Sequence, residues 1–457
     1  MNEAIPPKPE ASSRKPAAPR PPGTAAPASA RPADLSDDAL LDLVQRQTFR
    51  YFWDFAHPTS GLARERSNPA FGYGTEVVCT GGSGFGIMTI VVAVERRWIG
   101  REEAVDRLLK MVKFLYEADS YHGILPHFLN GETGRTVPFT RKDDGGDLVE
   151  TAFLIAGLLC ARRYFDKDDA RESELRARID GLWREAEWDW HTRGGSNVLY
   201  WHWSPNNGWS MNHEIRGWNE CLIAYVLAAS SPRYAIDEDG YHRGWAQSRT
   251  FINGREFYGT TLPLGPDFGG PLFFAHYSFL GLDPRGLNDR YADYWQQNVA
   301  HTLINREHCI RNPYGFKGYG PDCWGLTASD DHLGYHGHAP DRDLGVITPS
   351  AALSSFPYAP DHSMAALRHF YHRLGDRIWG EYGFVDAFSE THDWYASSYL
   401  AIDQGPIVVM LENHRSGLIW NLFMSCPEVR DGLRRLDFRS PHLEAVTAPS
   451  HTGNVLT

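Results

Sequence analysis

From Leu35 onward the chain repeats one pattern, an apolar stretch at helical spacing followed by a long loop rich in Gly, Pro and aromatic residues. Ser36-Asp37-Asp38 can cap a first helix whose apolar positions Leu40, Leu41, Leu43, Val44, Phe49 and Phe52 fall on one side. Further helical stretches are predicted at about 84–98, 101–118, 147–165, 169–189, 218–230, 271–281, 287–305, 350–355, 361–374 and 405–424. Strand signals are short, such as the alternation Val198-Leu199-Tyr200-Trp201-His202-Trp203 before the turn Pro205-Asn206-Asn207-Gly208. No solenoid repeat of 30–45 residues is present. Paired helices without such a repeat can close on themselves, and the expected fold is all-α, an (α/α)6 toroid with long loops and minor short strands.

The expected domain organisation is a single catalytic domain over 35–445. It is flanked by a Pro/Ala-rich tail at 1–34, which has too few large apolar side chains to offset the entropy of ordering, and by a flexible C-terminal tail at 446–457. With 457 residues, roughly three quarters of the unfolded surface can be buried. The six cysteines, Cys79, Cys160, Cys221, Cys309, Cys323 and Cys426, are scattered without a Cys-x-x-Cys pair, so they read as buried small apolar groups rather than a zinc site or disulfide framework. One or two disulfides stay open if the chain is exported. The tail has no apolar core of a secretory signal, so a periplasmic location is expected if a signal was removed and a cytoplasmic one otherwise.

A formal charge of -12 excludes a phosphate-rich partner, since nucleic acid or an anionic membrane surface needs a basic face. No apolar run reaches the ~18 residues of a membrane span, and the longest candidate, 402–411, is interrupted by Asp403, Gly405 and Pro406. A neutral substrate fits better. Oligomeric state is not encoded in any pattern found here.

Three acidic motifs stand at the starts of apolar helices. In Asp143-Asp144-Gly145-Gly146-Asp147-Leu148-Val149-Glu150, the acids Asp143, Asp147 and Glu150 would share a face if the helix began early, an arrangement that a stable fold gains little from. Acids in a first turn also serve the helix dipole, which is the plainer explanation. In Gly217-Trp218-Asn219-Glu220, a carboxyl walled by rings could have its pKa raised and act as a general acid, or simply offset the dipole. In Ile402-Asp403-Gln404-Gly405-Pro406, Asp403 is either an N-cap or a functional acid, and Pro406 suits a first helical turn. If the three helices line one barrel, the acids converge.

Two carboxyls are what glycosidic hydrolysis requires, one to protonate the leaving oxygen and one to activate water or attack the anomeric carbon. The 15 Trp and 21 Tyr supply faces for sugar rings, with Trp201, Trp203, Trp218 and Trp324 as substrate-binding candidates alongside Trp209 and Trp394, although core packing uses Trp equally well. The stretch Asp330-Asp331-His332-Leu333-Gly334-Tyr335-His336-Gly337-His338 mixes imidazole and carboxylate but lacks the order of a catalytic zinc motif. No metal and no cofactor is expected, and these residues are read as bonding sugar hydroxyls or their own loop. The run Thr80-Gly81-Gly82-Ser83-Gly84-Phe85-Gly86 lacks the Lys-Ser/Thr of a phosphate loop and is expected to be a tight barrel loop.

Taken with Trp324-Gly325-Leu326-Thr327-Ala328-Ser329-Asp330 and the approach to Glu412-Asn413, these stretches resemble the bacterial glucoamylase-like domain, glycoside hydrolase family 144, whose characterised members are endo-β-1,2-glucanases. The resemblance spans about residues 36–425. It implies an (α/α)6 toroid and anomer-inverting hydrolysis of linear β-1,2-glucan to sophoro-oligosaccharides. It further implies Glu220 as general acid and Asp403 as general base, with Asp143, Asp147, Glu150 and Asp330 in the substrate cleft and a proton path through a substrate hydroxyl or water chain. Related domains include exo-acting, sophorose-releasing members, and the older glucoamylase label implies α-1,4 cleavage on the same architecture. A non-catalytic glucan-binding toroid is the alternative from another class.

Overall fold

In a computed structural model, residues 31–68 and 74–444 are described. Among them are helices α1 (Asp37–Trp53), α2 (Thr80–Glu95), α3 (Arg101–Glu117), α4 (Leu148–Tyr164), α5 (Ala170–Glu185), α6 (Leu222–Ser230), α7 (Tyr294–Arg311), α8 (Pro349–Leu353), α9 (Pro360–Arg368), α10 (Gly375–Ile378), α11 (Ala401–Arg415), α12 (Leu418–Met424) and α13 (Pro427–Arg435). Strands come only as short antiparallel pairs and one three-stranded sheet.

The helices alternate between two layers. α2, α4, α6, α8 and α11 are buried on nearly every side, as a helix walled by both the barrel interior and an outer layer must be. α1 and α3 instead bury one stripe and expose the other. Contacts order the inner ring: α2 packs on α4 and α11, α4 on α6, α6 on the 3-10 turn Ser278–Leu280, and α8 on α11. The ring closes where Tyr358 donates to the carbonyl of Ala275 at 2.9 Å and His276 bonds Ser355 at 3.0 Å. With α1, α3, α5, a π turn at Gly240–Trp245, α7 and α9 outside, this is the expected (α/α)6 toroid. One apolar core runs from Leu40 to Phe438, and no helix among the described residues is long and apolar enough to cross a membrane.

Several local expectations change. The glycine run 80–86 is not a loop but the first half of α2. Its glycines let helices touch: a Cβ on Gly84 would lie 2.2 Å from the carbonyl oxygen of Phe153 on α4, and one on Gly157 would lie 2.1 Å from the carbonyl of Gly84. Close backbone approach outweighs the roughly 1 kcal/mol that glycine costs a helix interior. The predicted helix at 271–281 is two 3-10 turns. The helix predicted at 287–305 runs Tyr294–Arg311, because Asp293 caps it by accepting from the backbone of Gln296. The stretch 405–424 breaks at Gly417, whose φ of 71° ends one helix and starts the next. α11 begins four residues before Gly405, so Pro406 sits inside it and cannot donate to the carbonyl of Ile402. The strand predicted over 198–203 shrinks to His202–Trp203.

All six cysteines are buried, and no disulfide forms among the described residues. Of the N-terminal tail only residues 31–34 are described, and there Arg31 pairs with Asp376 at 2.6 Å. The remaining tail expectations, 1–30 and 446–457, lie outside the described residues.

Candidate active site

The starts of the inner helices gather on one face of the toroid. Glu150 Oε2 on α4 accepts the backbone N–H of Gly81 at the start of α2, at 2.7 Å. Ser350 at the start of α8 donates to Asp403 Oδ1 on α11 at 3.1 Å. Just before α6, the carbonyl of Glu220 accepts from Ser278 at 2.5 Å. Tyr277, the neighbouring residue, rests on Phe85 of α2 and Phe153 of α4. Burial pushes the Tyr277 hydroxyl well above the usual tyrosine range, and Asp403, Tyr335, Glu220 and Glu150 push it further. One phenol therefore feels all three helix-start acids, from three different inner helices.

On the α4 side, Asp147 is the N-cap of the helix, accepting from Val149 and Glu150 at 3.0 Å, whereas the plainer sequence explanation has only first-turn acids serving the dipole. It does more than cap. Its other contacts are Trp201 Nε1 at 2.9 Å and His127 Nδ1 at 2.9 Å. Asp143 is not on the helix. It is carried beside Asp147 by the pairing of Gly146–Asp147 with His202–Trp203, which also puts His202 Nδ1 3.3 Å from Asp143 and 3.7 Å from Asp147. Burial pushes the Glu150 carboxyl up to about 7 against the opposing pull of His127. Burial alone would lower His127, but Glu150, the hydrogen bond to Asp147, and Asp143 raise it to about 9. Acids and imidazoles thus balance one another here. His127, Asp143 and Asp147 also bring potential ligand atoms within 4.8 Å of one another, so this corner could hold a cation.

The α11 side is different. Asp403 is 2% exposed, and burial first, then Asp330 and Glu65, push its carboxyl up. Asp330 forms a buried pair with Arg66, at 2.9 and 3.3 Å, and accepts from Ser398 at 2.6 Å. Its carboxylate is therefore consumed inside the protein, not presented to a cleft. Asp331 holds its own hairpin, accepting from the N–H groups of Leu333 and Gly334 and bonding His336 at 2.6 Å, which is the loop-internal role expected for this stretch.

The tryptophans divide. Trp201 is partly exposed, stacked on His213 with centroids 5.0 Å apart, and Trp203 sits partly exposed beside His122. Trp218 and Trp324 correct the sequence reading. Trp218 is packed among Trp245, Phe251, Phe279 and Tyr294, and Trp324 is 0% exposed in the core, so neither offers a face to a ligand. Trp190, 37% exposed and stacked on His122 at 3.8 Å, provides one that sequence reasoning passed over. Also missed were Arg66, His127, Tyr277, Ser350 and Asp386. The His202 register was latent in the Tyr200–Trp203 alternation, whereas Asp386 lies in Phe384-Val385-Asp386-Ala387-Phe388, an acid in an apolar stretch that carries no other signal.

A helical toroid with buried acids at the starts of its inner helices and the partly exposed rings of Trp190, Trp201 and Trp203 is an arrangement that two-carboxylate cleavage of a glycosidic bond can use. Known proteins make the assignment specific. The Glycoamylase family model, described as a glucoamylase family, matches residues 212–427. The chain is 62% identical to a protein of Bacteroides uniformis described as a candidate glucoamylase, covering 90% of this chain and 100% of that one with a TM-score of 0.88. It is 56% identical to the endo-β-1,2-glucanase of Chitinophaga pinensis, solved with sophorotriose and glucose, covering 90% and 100% with a TM-score of 0.87. It is also 46% identical over 429 residues to an exo β-1,2-glucooligosaccharide sophorohydrolase of Parabacteroides distasonis, covering 89% of this chain but only 59% of that protein's length. The chain belongs to this bacterial glucoamylase-like family of glycoside hydrolases, family 144.

Proposed function

We propose that this protein hydrolyses β-1,2-glucan to sophoro-oligosaccharides by an inverting, two-carboxylate mechanism. The observation that supports the chemistry is the set of buried acids at the starts of three inner helices: Glu150 bonded to the start of α2, Asp403 to the start of α8, and Glu220, whose carbonyl accepts from Ser278 next to the Tyr277 that packs on α2 and α4. The linkage rests on the relatives that act on β-1,2-glucans at 56% and 46% identity. Glu220 protonates the departing glycosidic oxygen as the C–O bond breaks, and Asp403 takes a proton from the water whose oxygen attacks the anomeric carbon. Asp143 and Glu150 bind sugar hydroxyls, Asp147, fully buried and bonded to Trp201 and His127, holds those two in place rather than touching sugar as the sequence reading has it, and Trp201 and Trp203 pack against ring faces.

Chromatography of products from linear β-1,2-glucan, maltooligosaccharides, laminarin and cellooligosaccharides tests this. Sophoro-oligosaccharides from the first substrate alone are expected; glucose from maltooligosaccharides overturns the linkage, and no product from any substrate favours a binding toroid. The sophorohydrolase relative supports a second reading, exo release of sophorose, which would appear as sophorose from the first time point with no longer intermediates.

A further inference from the structure

We propose that Asp386 is the positioning residue for Asp403: a buried carboxylic acid that donates its proton to Asp403 and so keeps Asp403 ionised and oriented as the base. This rests on the reading of Asp403 as general base and adds a residue that carries no functional signal of its own in sequence.

The carboxyls of Asp386 and Asp403 face each other closely enough to act on one another directly. Asp386 is 2% exposed, and its Oδ2 accepts from the backbone N–H of Asp330 at 2.7 Å. Asp403 Oδ1 accepts from Ser350. Asp386 Oδ1 and Asp403 Oδ2 are left buried with no N–H or O–H donor among the described residues. Two ionised carboxylates cannot share a dry contact, whereas one proton between them satisfies both remaining oxygens.

The surroundings decide which group holds it. Asp403 has a hydroxyl donor in Ser350, which favours charge. Asp386 has a single backbone donor and faces Asp403 and Asp330, with Arg66 already committed to Asp330 and Glu65. Burial, then those two acids, push the Asp386 carboxyl well above the usual range. The other groups facing the pair are the hydroxyls of Tyr277 and Tyr335, both neutral, and Glu65. The backbone fixes the donor in place, since the Asp386 N–H is held by the carbonyl of Ser398 at 2.9 Å. Asp386 touches no substrate in this scheme; it acts through Asp403.

The test compares Asp386→Asn, whose amide still donates to Asp403 but cannot ionise, with Asp386→Ala, which removes the donor. Asp386→Asn is expected to keep kcat within about threefold and leave the acidic limb of the kcat/KM profile in place. Asp386→Ala is expected to lower kcat about 30-fold or more at little-changed KM and to move the acidic limb to higher pH, because Asp403 loses the bond that favours its charge. If the alanine variant does not fold, infrared spectra of protein labelled with 13C at aspartate carboxyls decide: the band of a protonated carboxylic acid at neutral pH should vanish in Asp386→Asn. Retention of that band, or an Asp386→Asn variant that is folded but inactive, overturns the proposal. Asp403→Asn separates the two readings. If it is inactive while Asp386→Asn is also inactive, only the role of Asp386 falls; if it is active, the base assignment falls and takes this proposal with it.

Discussion

α11 carries two buried carboxyls, one near each end, and they are treated oppositely. Glu412, 1% exposed, receives Arg96 Nε at 2.8 Å and Nη2 at 3.1 Å, together with Ser416 at 2.6 Å and Gln45 at 3.4 Å. Asp403, equally buried, has no cation beside it: it receives the Ser350 hydroxyl and, as proposed, the Asp386 acid proton, and otherwise faces Asp330 and Glu65. A guanidinium clamp fixes a charge and makes it structural. A carboxyl left among other acids is thermodynamically poorly placed, and a fold tolerates that where proton transfer needs a group poised between its two forms.

If that contrast is right, Asp403→Asn lowers kcat by about 10²- to 10⁴-fold, equivalent to about 3–5 kcal/mol of barrier, without lowering Tm, because the amide keeps an acceptor for Ser350 and Asp386 while removing a buried charge. Glu220→Gln, at the start of the neighbouring inner helix, should show a loss of similar size; unchanged turnover removes Glu220 from the mechanism. Glu412→Gln should do the reverse, destabilising the protein by about 2 kcal/mol in a denaturant titration while leaving kcat per folded molecule unchanged, since partly exposed Arg96 keeps only the longer contact to exposed Asp42 at 4.0 Å.

The two tryptophan classes sharpen the same distinction on a smaller scale. Trp201→Phe removes the N–H that holds Asp147 and should raise KM about tenfold, a loss of roughly 1.4 kcal/mol, with Tm nearly unchanged. Trp218→Phe opens space beside Trp245 and should lower Tm by several degrees with KM unchanged. A KM effect in the second and none in the first would reverse the assignment of cleft and core.

The smallest effect concerns pH. Burial lowers His276 to about 3 and His191 and His301 to about 4. Each is neutral when folded but binds a proton more readily when unfolded. Their contribution to stability is therefore full above about pH 6.5, the unfolded value, and is lost progressively as pH drops toward the folded values. The raised Glu150 and Asp403 carboxyls favour the folded state as pH falls over the same range, so the imidazole contribution is read as a difference: between pH 7 and pH 4 the Tm of His276→Gln should fall less, or rise more, than that of the unsubstituted protein, and identical profiles would contradict the neutral burial of His276.

The toroid was legible because inner and outer helices leave different marks, apolar all round or striped, and because helix starts are announced by capping acids. Glu150, Glu220 and Asp403 were visible for that reason. What sequence could not separate was context. Trp218 precedes a buried helix whether it faces a cleft or Trp245. Gly84 reads as a loop glycine until the backbone of α4 is seen to require it. Asp330 looks like a cleft acid until Arg66, 264 residues away, is found clamped to it. Asp386 is silent in sequence because its significance lies entirely in the carboxyl it touches.

The most direct measurement is the rate of reducing-end release from linear β-1,2-glucan by Asp403→Asn and Glu412→Gln, the two acids of one helix, each with its Tm. The account predicts an inactive, stable Asp403→Asn and an active, destabilised Glu412→Gln. An active Asp403→Asn, or equal loss of turnover in both, would contradict it.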